Sequence, residues 1–126
     1  MNKQQMFNRV ADHLLAQNDR SLNSNGDCVY RGSHGRKCAI GCLIPDELYD
    51  PSIEGHGVDI ITAENHKIAA IIPDFALPLA GELQALHDNY TPEVWRDELA
   101  GLAFKHGLDW HPPASPLSPN LMTCNP

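Results

Sequence analysis

The placement of proline constrains this chain more than any other feature, because a residue with fixed φ and no backbone N–H stops helices and cannot sit inside a sheet. Five of the ten prolines lie at Pro112, Pro113, Pro116, Pro119 and Pro126, so residues 109–126 are expected to form an extended or disordered tail. The tail's apolar residues Leu117, Leu121 and Met122 can dock on the domain or on a partner, although a frayed terminus is commoner. Residues 1–108 remain as one globular domain, in keeping with a chain of 126 residues, 42% apolar and 20% charged.

Within 1–108 the apolar residues recur mostly at helical spacing. Met6, Phe7, Val10, Leu14 and Leu15 mark one face of a helix from Asn2 to Gln17, and the Asn-, Ser- and Gly-rich stretch 18–26 ends it in a loop. Pro45 followed by Asp46 and Glu47 predicts a helical turn that Pro51 stops. Val58, Ile61, Ile68, Ile71 and Ile72 fit one helix or a broken pair ending at Pro73, and Leu79, Leu83 and Leu86 mark another that runs to Asn89. Thr91, Pro92 and Glu93 form a helix start, with Val94, Trp95, Leu99, Leu102 and Ala103 inward, Lys105 and His106 at the negative end and Gly107 beyond it.

The exception is Cys28 to Arg31 and Lys37 to Gly41, two short segments of β-branched, aromatic and small residues around Gly32 and Gly35. They read as a short β-hairpin, although Ala39, Cys42 and Leu43 would also share a helical face. The expected fold class is therefore α+β: a mainly helical small domain of about four helices with one hairpin.

Nine basic against sixteen acidic residues give a net charge of −7. Phosphate-backbone binding draws on a basic surplus, so no direct nucleic-acid binding is expected. The acidity serves solubility, or steers the chain toward a basic protein partner. Met1 to Gln17 carries Lys3, Arg9, Asp12 and His13 where a secretory signal needs a continuous apolar core, and no run of roughly 18 apolar residues occurs. A cytoplasmic location without membrane association is expected, where Cys28, Cys38, Cys42 and Cys124 stay reduced.

Three constellations carry chemistry. Cys28, His34, Cys38 and Cys42 could close a tetrahedral zinc site, but the spacing C-x5-H-x3-C-x3-C lacks the paired knuckles that aim two sulfurs at one point, and buried thiols are the plainer reading. Zinc is the one cofactor considered; otherwise none is expected. Cys38, preceded by Lys37, could serve as a nucleophile with His87 as base and Asp88 as orienter. Neighbouring helical residues point about 100° apart, which speaks against Asp88 holding the His87 ring. Tyr30, Arg31, Asp46, Glu47, Tyr49, Glu54 and His87-Asp88 could line a pocket for a small anion or nucleotide anchored by Arg31, and Tyr30, Arg31, Asp46, Glu47 and Tyr49 could contact a protein partner; the plainer alternative pairs Arg31 with Asp46 or Asp88. No glycine-rich phosphate loop is present.

The run Cys28-Val-Tyr-Arg31, Lys37-Cys-Ala-Ile-Gly41, Leu43-Ile-Pro-Asp46, Tyr49, Glu54-Gly55, Leu83-Gln84 and His87-Asp88 resembles a family of small uncharacterised proteins from bacteria and their phages, over roughly Met1 to Leu108. In that family the position of Cys42 is often Ala, which implies that Cys28 and Cys38 form a hairpin pair, packed or oxidised. The resemblance implies a phage or prophage accessory protein that binds and modulates a host protein in the bacterial cytoplasm, as an inhibitor or anti-defence factor. A small cysteine hydrolase or transferase is the alternative, and a structural zinc domain a further one.

Overall fold

The computed structural model describes residues 1–112, and the tail beyond, with its expected extended structure, lies outside the described residues. Five α-helices make up the frame: α1 (Lys3–Gln17), α2 (Val58–Glu64), α3 (His66–Ile71), α4 (Leu77–Asn89) and α5 (Pro92–Lys105). Helix α1 packs on both α4 and α5, which form an antiparallel neighbouring pair, while the short α2, packed on α3, closes one side against α4.

Local chemistry fixes most boundaries. Asn2 and Gln5 exchange bonds in a capping box at the start of α1, satisfying two orphan N–H groups, and Asn18 turns left-handed to end it. Asn65 breaks the 58–72 stretch into two helices, because its side chain accepts the N–H groups of Lys67 and Ile68 and so caps α3. At the end of α5, Gly107 takes φ +66°. Its N–H reaches Phe104 O and that of Leu108 reaches Ala103 O, the paired bonds of a Schellman motif. Thr91 starts α5 without capping it through its side chain.

The core is continuous. Met6, Phe7, Val10 and Leu14 of α1 meet Leu79, Leu83 and Leu86 of α4 and Trp95 and Leu99 of α5, all at 3% exposure or less. Leu108 and Trp110, past the last helix, pack on this core; the Trp110 ring stands edge-on to Phe7 at 5.5 Å, and Gln4 holds Asp109 by two bonds. Ordered packing thus extends beyond residue 108. Val94, expected inward, is 39% exposed.

The fold class differs from the expected α+β: among the described residues there is no β-strand and hence no β-hairpin. The chain does reverse at Gly32 to Arg36, but it leaves only isolated bridges, Leu22 with Cys28 and Arg31 with Lys37. Two causes are visible. Residues 28–31 lie between 21–22 on one side and 37–38 on the other, so each edge holds a single rung. After Cys38 the chain winds into a 3₁₀ turn at Gly41–Leu43 instead of running alongside. Gly41 makes that possible, because a Cβ there would lie 2.1 Å from the Tyr30 carbonyl oxygen. Long 18–44 therefore folds as turns and single bridges laid over α1 and α4.

Candidate functional site

Two carboxylates organise the polar groups. Glu54, at the end of a 3₁₀ turn (Pro51–Ile53), accepts from the Tyr30 N–H at 2.8 Å, the Arg31 N–H at 3.1 Å and the Tyr49 hydroxyl at 2.8 Å. It closes the unladdered edge of residues 30–31, where a second strand was expected. Arg31 then reaches outward: its guanidinium donates to Asp46 Oδ1 at 2.7 Å and to the Ile44 carbonyl at 2.6 Å, and lies 4.8 Å from the centre of the Tyr49 ring. Its Nε is buried without a partner. Arg31 beside Asp46 holds that carboxyl below the usual range, and burial together with Glu54 pushes the Tyr49 phenol up to about 12. Of the two pairings considered for Arg31, Asp46 is the one observed. Asp46 and Glu47 remain exposed, on a short 3₁₀ turn (Asp46–Leu48).

Asp88, in the last turn of α4, is the second hub. Its Oδ1 takes bonds from His87 Nδ1 at 2.7 Å and Gln84 Nε2 at 2.9 Å, and the Cys28 thiol lies within 4.8 Å of this carboxylate. The expectation that Asp88 would not hold the His87 ring is thereby corrected: a 100° offset between neighbours still leaves ring edge and carboxylate within hydrogen-bond reach at the end of a helix. His87 is wholly buried and stacks on Trp95 at 5.7 Å between ring centres. Its Nε2 accepts the buried Ser21 N–H at 3.0 Å, so the ring proton sits on Nδ1 and points at Asp88. Gln84 ties the same hub to the loop by accepting the Ile40 N–H.

Between the hubs lies a cleft of about 220 Å³, lined by Cys28, Tyr30, Glu54, His56, Gln84 and Asp88 among others. It is acidic and about the size of one long side chain, and its carboxylates are already engaged by the fold.

Tyr30, Arg31, Asp46 and Tyr49 come together around Glu54, with Glu47 beside them. Cys28, His34, Cys38 and Cys42 do not gather into a ligand set; among the described residues the one group of three or more metal-type side chains is Cys28, His87 and Asp88, within 4.8 Å. That group fits a metal poorly. A metal on Nδ1 would displace the proton to Nε2, where it would face the Ser21 N–H donor to donor. His34 is exposed, in a left-handed turn (φ 64°). Cys28, Cys38 and Cys42 are free thiols, so the implied Cys28–Cys38 pair is not joined. Cys38 is fully buried with its thiol pushed up to about 12 by desolvation, although the Gly41 N–H donates to its sulfur. Cys42 is likewise pushed up to about 12 by burial.

The thiol beside His87 and Asp88 is therefore Cys28, a combination the sequence reading did not make. Burial, then the Asp88 charge and hydrogen bond, raises the Cys28 pKa, which is the opposite of activation. Glu54 as hub was also missed, and the one sequence signal for it is a carboxylate just ahead of Gly55 in a turn. Comparison with protein-family models, curated proteins and solved structures returns no match.

Proposed function

We propose that this chain is a non-catalytic accessory protein of phage or prophage type that binds and modulates a host protein in the bacterial cytoplasm, using the surface from Tyr30 to Tyr49. The carrying observation is the acidic edge of Asp46 and Glu47, exposed on a frame whose other polar atoms are tied inward by Arg31, Tyr49 and Glu54. A preorganised charged edge favours capture of a basic surface without an ordering cost. Among the described residues no helix is long and apolar enough to cross a membrane, which fits this reading.

The state of the reactive groups supports the same choice over a cysteine hydrolase built on Cys38 and His87. Cys38 is sealed and protonated, and His87 has both ring nitrogens committed to Ser21 and Asp88. Neither Cys38 nor His87 thus offers a free nucleophile or base. The test is capture of proteins from host lysate by the tagged wild type and by an Asp46→Lys, Glu47→Lys variant of unchanged circular dichroism. Loss of one stoichiometric protein in the variant supports the reading. Equal capture by both, or release of that protein only on Cys38→Ala, defeats it.

A further inference from the structure

Two asparagines in the loop after α1 are held very differently. Asn23 is half-buried, and its side-chain oxygen accepts the N–H of Asn25 at 2.9 Å and that of Asp27 at 3.0 Å, so it braces the turn. Asn25 stands exposed at the tip, followed by Gly26 at φ +83°, where a Cβ would meet nothing within 4 Å. Of the nine asparagines in the chain, Asn25 is the one that glycine follows. That neighbour matters because the backbone nitrogen after an asparagine can attack the side-chain carbonyl carbon. A Cβ on the attacking residue crowds the five-membered ring that forms, and glycine has neither the Cβ nor the restriction on φ and ψ that goes with it.

We propose that Asn25 is a site of spontaneous covalent modification, at which the Gly26 nitrogen closes a succinimide ring on the Asn25 side chain. The Gly26 nitrogen gives up its proton and bonds to the carbonyl carbon, and the side-chain amide nitrogen leaves as ammonia, having gained a proton. Water then opens the ring at one of its two carbonyls. One opening gives an ordinary aspartate; the other gives an isoaspartate, whose main chain runs through the former side-chain methylene. One water enters, one ammonia leaves, and nothing is oxidised or reduced. The fold slows this chemistry without sealing it. The Gly26 N–H donates to Asn23 O at 3.0 Å and must first leave that bond, and one net hydrogen bond lowers the open fraction about fivefold. Asn23 is protected by its own two bonds and by the Cβ of Ser24. Conversion of Asn25 adds a carboxylate beside exposed Asp27 and takes the net charge from −7 to −8. The isoaspartate form also lengthens the main chain by one carbon, inside a turn closed by the Asn23 N–H on Asp27 O at 2.9 Å, and so strains the Leu22–Cys28 bridge that follows.

Incubation of the full native chain in mildly alkaline buffer made with heavy-oxygen water tests the assignment, with every asparagine-containing peptide followed by mass spectrometry. The Asn25 peptide should convert ahead of all the others, gain one heavy oxygen, and yield both aspartate and isoaspartate. Its native rate should be about fivefold below the rate of the same chain in guanidinium chloride, where the Gly26 bond is gone. Asn25→Gln, whose longer side chain would have to close a six-membered ring, should keep the circular dichroism of the wild type and stay unconverted at this position. Earlier conversion of Asn23 or Asn65, a product without isoaspartate, or a native rate more than about a hundredfold below the unfolded one, the mark of a sealed segment, would each overturn the proposal.

Discussion

His87→Phe isolates the polar role of the buried ring. Phenylalanine keeps a flat ring against Trp95, so no cavity opens, but it removes both hydrogen bonds. The Ser21 N–H, in a residue with no exposure, is then a buried orphan donor costing about 1–3 kcal/mol. Asp88 loses one of its donors, a charge-assisted bond worth about 1.5–3 kcal/mol in isolation. Its side chain is 36% exposed, so water and the remaining donors recover part of that, leaving about 1 kcal/mol. The expected loss is about 3 kcal/mol, a sizeable fraction of the 5–15 kcal/mol typical of a domain. His87→Ala adds a cavity and should cost about 5 kcal/mol. His87→Gln, whose amide oxygen can stand where Nε2 accepts, should fall between wild type and His87→Phe. Urea unfolding followed by tryptophan fluorescence reads these differences as a shift in midpoint at constant m, about 2 M for His87→Phe. A His87→Phe midpoint within about 0.3 M of wild type would refute the assignment of His87 as a two-sided buried brace.

The other predictions concern thiols, glycines and acid. Cys38 should alkylate in the native protein at least about 10³-fold more slowly than a free thiol, since a pKa near 12 against an ordinary 9.0 leaves that much less thiolate; reaction at the rate of Cys28 would contradict its burial. Because that folded pKa lies above the unfolded one, stability from the buried thiol is complete below pH 9 and drains away as pH rises toward 12, which alkaline melting curves should show. Gly41→Ala, with its Cβ 2.1 Å from Tyr30 O, should destabilise by about 3 kcal/mol or more, whereas Gly101→Ala should stabilise the domain by up to about 1 kcal/mol; thermal melts in which the two variants behave alike would count against the packing described. Glu82 is held below the ordinary carboxylate range, first by its bond from Lys105 and also by the 2.7 Å contact with His106, so its contribution is present above pH 4.5 and lost as pH falls through its lowered folded value. Glu82→Gln should flatten the acid limb of the melting profile, and an unchanged limb would remove this group from it.

Helix existence was legible in the sequence because it rests on near-neighbour periodicity. The face of α1, the Asn2 start, the start at Pro92 and the Gly107 stop all follow from residues within one or two turns of each other, whereas the choice between one helix and two over Val58 to Ile72 stayed open until Asn65 was seen to cap α3. The hairpin failed for the opposite reason. Whether Cys28 to Arg31 pairs along its length depends on what lies on both sides, and the competing neighbours, Ser21–Leu22 and Glu54, come from before and well after it. The same holds for chemistry. Cys38 and His87 look alike as reactive residues in the sequence, and only burial and the Ser21 N–H show that both are spoken for. Val94 went astray because α5 has a wide apolar pattern, with enough small and apolar residues to suggest two faces where a lone domain needs one.

The surplus of acid in this chain has a structural side that composition conceals. A carboxylate is an acceptor without a donor of its own, so it can collect several N–H and O–H groups at one point without needing any of them to be charged. Glu54 does this for residues 30–31 and Tyr49, Asp88 for Gln84 and His87 with the Cys28 thiol close by, and Glu82 for the end of α5. Each joins segments far apart in sequence, and each sits where regular structure is short or missing: the edge without a ladder, the loop over α4, the last turn of α5. Helices of six and seven residues are too short to hold by propensity. In this fold of short helices and a long irregular span, Glu54 satisfies backbone N–H groups that a sheet would have paired, while Asp88 and Glu82 hold side chains in place. Asp46 and Glu47 are acids outside this bracing: Asp46 pairs with Arg31 and, at 3.8 Å, with Lys37 at the surface, and Glu47 lies exposed beside it.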